Sequence, residues 1–134
     1  LNESDFLKIN MEELLELGIM FKFKYSDVET LIQSIYLKFD LKFICVTNGS
    51  INSSIYDGNN LFTIDSFKVK SIDNLGAGDN FLACFINEFF VKKNSIKNSL
   101  KIASAYGALT TTKIGASASI KPFEINKILK TTNY

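Results

Sequence analysis

A layered α/β fold, with a largely parallel sheet and one antiparallel element, is predicted by three observations. Apolar periodicity switches between strand-like and helix-like along the whole chain, with no low-complexity linker and no internal repeat. Asp57-Gly58-Asn59-Asn60 stands between two short strand-like runs and has the composition of a hairpin turn. Gly76-Ala77-Gly78-Asp79 separates a further strand-like run from a helix that is apolar on almost every face.

The elements follow in order. Residues 6–9 read as a short strand, and Asn10 opens a helix over 11–17 with Gly18 as its C-cap. Ser26, followed by Glu29, has the capping-box spacing and starts a second helix that buries Val28, Leu31, Ile32, Ile35, Tyr36 and Phe39 and ends near Asp40. Residues 42–47 form a compact apolar strand, 53–56 and 61–64 the hairpin, and 69–72 a last strand entering the glycine turn. Long helices are expected over 80–92 and 96–114, the second stopped by Gly115, and a short one after Pro122.

With 134 residues and 46% hydrophobic content the chain can bury a core, so a disordered tail is excluded. The net charge is +1 and the fifteen basic residues, all lysine, are scattered, which argues against a nucleic-acid surface. The longest apolar stretch of the helix after the glycine turn, residues 81–86, is too short to span a bilayer, and the N-terminus has no basic region followed by an apolar segment. No membrane partner and a cytoplasmic location are therefore the expectation. Cys45 and Cys84 lack metal or disulfide spacing and read as small core residues. Histidine and arginine are absent, so any metal would be a hard, oxygen-bound cation such as magnesium.

The chemistry concentrates in Asp73 to Phe81, D-N-L-G-A-G-D-N-F. Two glycines let the main chain turn tightly, and the free N–H groups of Ala77, Gly78 and Asp79 at a helix start would point at an anion. A phosphoryl group suits them, and the Asp79 carboxylate beside it could take the proton of an attacking hydroxyl. A plain strand-to-helix turn with Asp79 as an N-terminal charge is an equal alternative. A dinucleotide fingerprint fails because Phe81 stands where its third glycine belongs, and no Gly-Lys-Ser/Thr is present for a P-loop.

The segment resembles the signature of the PfkB (ribokinase-like) carbohydrate kinases, D-T-x-G-A-G-D-x-F. Asp73, Gly76, Ala77, Gly78, Asp79 and Phe81 match, and Asn74 replaces the threonine. The resemblance implies a ribokinase-like α/β/α layered fold, ATP with Mg2+, and a sugar as acceptor. It makes Asp79 the general base, places Gly76, Ala77 and Gly78 at the anion hole, and gives Asp73 a role in the turn or the metal-water shell.

Other pieces occur in the family's order and cover nearly all of the chain. Asn10 and Glu13 match its N-x-x-E, which implies a place near the phosphates with Glu13 reaching magnesium through water; a helix cap with its reciprocal partner is the simpler reading of the pair. Thr47 and Gly49 match T-x-G-x-x-G, which approaches the nucleotide, with Asn52 in place of the last glycine; a plain turn is the alternative. The small-residue run 103–108 resembles the stretch lining the base, with Ser104 where asparagine is frequent, although helix packing explains such runs as well. Residues 113–117, with Gly115, resemble the loop that closes over the base or helps to hold a monovalent cation such as K+.

The wording around Leu41-Lys42 and Val46-Thr47 leans toward fructokinase-like members. The chain begins at Leu1, and family members are normally much longer, so a C-terminal nucleotide-binding and catalytic portion is expected, with the sugar-binding half and lid outside it and the isolated fragment inactive. A homodimer of the full-length protein is a further expectation. The alternatives are an inactive remnant, a nucleotide-binding regulatory module without turnover, or another α/β protein in which G-A-G-D is only an anion nest.

Overall fold

The computed structural model describes residues 5–115 and 119–131. The chain divides into two compact units, Leu1–Thr63 and Ile64–Tyr134. The fold class is the expected α/β one.

In the first unit, β1 (Phe6–Asn10) leads directly into α1 (Met11–Met20), followed by α2 (Val28–Lys38), β2 (Phe43–Asn48), β3 (Asn52–Tyr56) and the start of β4 (Leu61–Asp65). The strands form one sheet in the order β1-β2-β3-β4. β1 and β2 are parallel and β2 and β3 antiparallel, so the sheet among the described residues is mixed. Parallel pairing requires a crossover, and α1 and α2 supply it. The face they cover is the core: Leu14, Leu31, Ile35 and Ile44 are fully buried. The Asp57 carboxylate accepts from the amides of Asn59 and Asn60 at 2.9 and 2.7 Å, which closes the hairpin as its composition predicts.

Two helix boundaries differ from the expectation. Gly18 is not a C-cap but lies inside α1, where an added Cβ would stand 3.1 Å from Leu31 Cδ1 and 3.2 Å from Tyr25 Cε1. Close packing, not left-handed backbone, is its purpose. The N-cap of α2 is Asp27, not Ser26: its carboxylate accepts from the Thr30 amide and hydroxyl, both at 2.8 Å, which holds the Asp27 carboxyl below its ordinary value. A charged acceptor outcompetes the neighbouring hydroxyl.

The second unit contains α3 (Ala77–Ile86), a π-helical turn over Asn87–Val91, α4 (Ile96–Thr111) and α5 (Pro122–Leu129). Residues 69–72 form no strand, contrary to expectation. The amides of Ile72 and Asp73 donate instead to the Thr111 carbonyl at 2.7 and 3.0 Å, so this segment satisfies its backbone at the end of α4. Likewise α3 begins at Ala77, three residues before its expected start, and α4 stops at Thr111. Phe67, Ala105, Ile125 and Ile128 make one core cluster here. At the π turn, buried Glu88 accepts from Lys92 Nζ and Asn94 Nδ2, both at 2.6 Å, and its carbonyl accepts from the Asn94 amide at 3.0 Å. That cluster stitches the widened turn to the link leading into α4. Cys45 is buried and Cys84 half-buried, and burial pushes both thiols up to about 12, which fits the reading as inert core residues.

Candidate active site

Gly76 adopts φ 78°, the left-handed backbone that a Cβ disfavours, and caps α3 without a side-chain bond. Its carbonyl accepts from the Asn80 amide at 2.9 Å, which starts the helix. The three amides expected to face an anion differ in their partners. Ala77 N–H is not free: it donates to the Asn74 carbonyl at 3.3 Å. The amides of Gly78 and Asp79 have no partner among the described residues and stand at the positive end of α3. Asp79 is exposed, and its carboxylate makes no hydrogen bond among the described residues.

Asp73 builds the turn. One carboxylate oxygen accepts from the Leu75 amide at 2.9 Å and the other from the Gly115 amide at 3.0 Å. These two bonds, Leu75 first, hold its carboxyl below the ordinary value of 3.8. Ser71 Oγ donates to Asn74 Oδ1 at 2.9 Å, so the asparagine that replaces threonine in the motif still closes the loop. Gly115, at φ 87°, is thereby drawn to the start of the motif. Lys113 forms a 2.7 Å ion pair with Glu124 on α5, which lowers the Glu124 carboxyl and fixes the other end of the same loop. Ala116 and Ser117 lie outside the described residues.

Ser104 sits on α4 at 7% exposure, with an Oγ that has no hydrogen-bond partner among the described residues. Asn80 and Gly107 fall inside the motif and the small-residue run without a role of their own, and Thr110 and Thr111 are not singled out by the sequence. Asn80 Nδ2 donates to Thr110 Oγ1 at 3.0 Å, and the Thr111 carbonyl takes the two amides before the turn. The only signal for them was a glycine within a small-residue run and the Thr-Thr-Thr that follows it.

In the first unit, Asn10 and Thr47 are partners in the parallel ladder, at the C-terminal ends of β1 and β2. Ligands of open α/β sheets bind beyond such ends. Asn10 Oδ1 accepts from the Glu13 amide and Glu13 Oε2 from the Asn10 amide, each at 2.8 Å, a complete capping box. Gly49 follows β2 at φ 50°, and an added Cβ there would meet nothing within 4 Å.

The free amides of Gly78 and Asp79 suit a phosphoryl group. The carboxylates suit direct magnesium ligation poorly: Glu13 is committed to its cap, Asp73 to two amides, and the described residues hold no group of three or more potential metal-binding side chains. Among those residues no helix is long and apolar enough to cross a membrane.

Comparison with known proteins bears on the family and the fold. The chain is 34% identical to Fructokinase-1 of Zea mays over 86 residues, which is 60% of this chain and 27% of that protein. It is 28% identical to Fructokinase-2 of Zea mays over 121 residues, 85% of this chain and 34% of the relative. It thus spans about a third or less of the length of these two relatives. Among solved structures, Ribokinase from Thermotoga maritima superposes with a TM-score of 0.80 at 26% identity, covering 94% of this chain and 42% of that one. An Escherichia coli structure described as a "putative Ribokinase II in complex with ATP and Mg+2" gives 0.82 at 26% identity, covering 98% and 41%. The model of the pfkB family carbohydrate kinases matches residues 1–122, and the chain belongs to that family.

Proposed function

We propose that this chain is the nucleotide-binding and catalytic portion of an ATP-dependent sugar kinase, fructokinase-like in its acceptor, with the sugar held largely by residues beyond it. The observation that carries the reading is the turn at Gly76: left-handed backbone, two unpartnered amides at a helix start, and an exposed carboxylate on the same turn. The family membership and the ATP and magnesium of the Escherichia coli neighbour support it.

In this reading Asp79 accepts the proton of the sugar hydroxyl as that oxygen attacks the γ-phosphorus. The Gly78 and Asp79 amides, with the positive end of α3, hold the phosphoryl oxygens as charge spreads over them in a loose transition state. Ala77 serves the turn through Asn74, and Gly76 provides the bend. Magnesium would neutralise phosphate charge; Asp73, already engaged by two amides, would hold it through water and not directly, and Glu13, engaged in its cap, is a candidate for the same indirect role in its own unit. Asn10, Thr47 and Gly49, which the family resemblance assigns to nucleotide binding, are the candidates for that role within their own unit. Near the turn, the loop of Gly115 is the place for a base contact or a monovalent cation.

The test is sugar-dependent ADP release by the natural polypeptide that carries this chain, with ATP and magnesium and a panel of ketoses, aldoses and nucleosides. Release that depends on one sugar class supports the reading. Nucleotide binding without release on any acceptor overturns it in favour of a module without turnover.

A further inference from the structure

We propose that Thr110, acting through Asn80, is a positioning residue that sets the rotation of α3 and so the aim of Asp79 and the two free amides. The proposal rests on the anion-site reading of the Gly76–Asp79 turn.

Three residues of α3, Ala77, Asn80 and Phe81, share the i, i+3, i+4 spacing of one helix face, and all three meet α4. Gly107 is the contact point for two of them: a Cβ there would stand 3.4 Å from Phe81 Cβ and 3.5 Å from the Ala77 carbonyl oxygen. The third, Asn80, reaches Thr110 at 3.0 Å. At about 100° per residue, Asp79 and Gly78 are turned away from that face, toward solvent. Whatever fixes the face fixes them.

Apolar contact between Phe81 and a glycine is non-directional and tolerates rolling, whereas the Asn80–Thr110 hydrogen bond is directional. Thr110 is fully buried, and its hydroxyl donates to the Tyr106 carbonyl at 2.8 Å while accepting from Asn80. Its donor is therefore spent within α4, which leaves its lone pairs for α3. Asn80 is also the residue whose amide closes the turn on the Gly76 carbonyl, so a single residue ties the turn to its own helix and to the neighbour. A side-chain tip about 6 Å from the helix axis moves about 1 Å on a roll of about 10°. Misplacement of that size can lower a rate about a hundredfold.

Thr110→Val keeps the shape and removes the acceptor, Thr110→Ser keeps the acceptor, and Thr112→Val is the comparison, because the Thr112 hydroxyl donates only to the Leu109 carbonyl within its own turn at 2.7 Å. In the full natural polypeptide, Thr110→Val should lower kcat roughly tenfold to a hundredfold while the KM for ATP changes by less than about threefold. Thr110→Ser should return near-parental kcat, and Asn80→Ala combined with Thr110→Val should be no worse than the more damaging single change. Equal kcat for Thr110→Val and Thr112→Val overturns the proposal, as does a loss confined to melting temperature. The amide resonances of Gly78 and Asp79 in the unliganded protein give an arm independent of turnover: they should shift in Thr110→Val and not in Thr112→Val. Unmoved resonances overturn the positioning role even if a kinase is found. Moved resonances with no phosphoryl transfer by the parent protein retain the positioning and sink the kinase reading instead.

Discussion

The Asp73 carboxylate accepts a hydrogen bond at 3.0 Å from the amide of Gly115, 42 residues further along the chain. Its other oxygen is held by Leu75, so one side chain fixes both the entry to the glycine turn and the loop after α4. Both bonds favour the ionised form, which lowers the folded-state carboxyl below the value of 3.8 that the unfolded chain would show. The stabilisation is therefore complete above that value and is lost as pH falls through the lower folded one. Asp73→Asn should reduce the acid dependence of the melting temperature below about pH 4 and broaden the Gly115 amide resonance at neutral pH. An unchanged acid slope would show that Asp73 contributes nothing to stability there.

Gly76 has φ 78°. Gly76→Ala should destabilise the fold by about 1–2 kcal/mol, the cost of left-handed backbone for a residue with a Cβ. It should also weaken phosphate binding, since relief of the strain re-aims the two amides. Equilibrium denaturation with a phosphate titration checks both, and a neutral variant would mean that the turn relaxes freely.

Gly107 gives a case in which magnitudes decide the sign. Replacing it by alanine gains up to about 1 kcal/mol of helix propensity, and contacts of 3.4 and 3.5 Å cost little, so Gly107→Ala should be neutral to slightly stabilising. Gly107→Leu must push α3 off α4 and should cost about 1–3 kcal/mol. Denaturant midpoints for the pair measure this, and equal midpoints would refute the close approach.

Glu88 is 6% exposed and bound by Lys92 and Asn94. Glu88→Gln keeps the shape but loses the charge and one acceptor, at a cost of about 1–3 kcal/mol, because hydrogen bonds to a buried charged group exceed neutral ones. Lys92 retains solvent access, which keeps the penalty below that of a wholly buried pair. Urea denaturation decides it; a change within error would place the support of the π turn in its backbone alone.

The sequence made legible what depends on local chemistry. The hairpin at Asp57, the helix opened by Asn10 and Glu13 and the α5 start at Pro122 follow from groups that bond within their own neighbourhood, and the glycine turn from backbone that a residue without a Cβ adopts freely. What it hid depends on distant partners. Residues 69–72 read as a strand yet the Ile72 amide bonds to the end of α4, and Gly18 resembles a cap yet is small because Leu31 lies against it. At the candidate site the motif showed Asp79 and its glycines. It could not show that Asp73 holds Gly115, that Ala77 N–H is already used, or that Asn80 reaches Thr110, because each is a contact made only when the chain folds.

The most direct test of Asp79 as base of a phosphoryl transfer is single-turnover transfer of the γ-phosphoryl of ATP to the preferred sugar, by the natural polypeptide and its Asp79→Asn variant, with ADP affinity measured alongside. The account predicts a loss of roughly two to four orders of magnitude in the transfer rate. ADP affinity should stay within about threefold of the parent's, since the amides and the turn remain. Transfer by Asp79→Asn at the parental rate would contradict it.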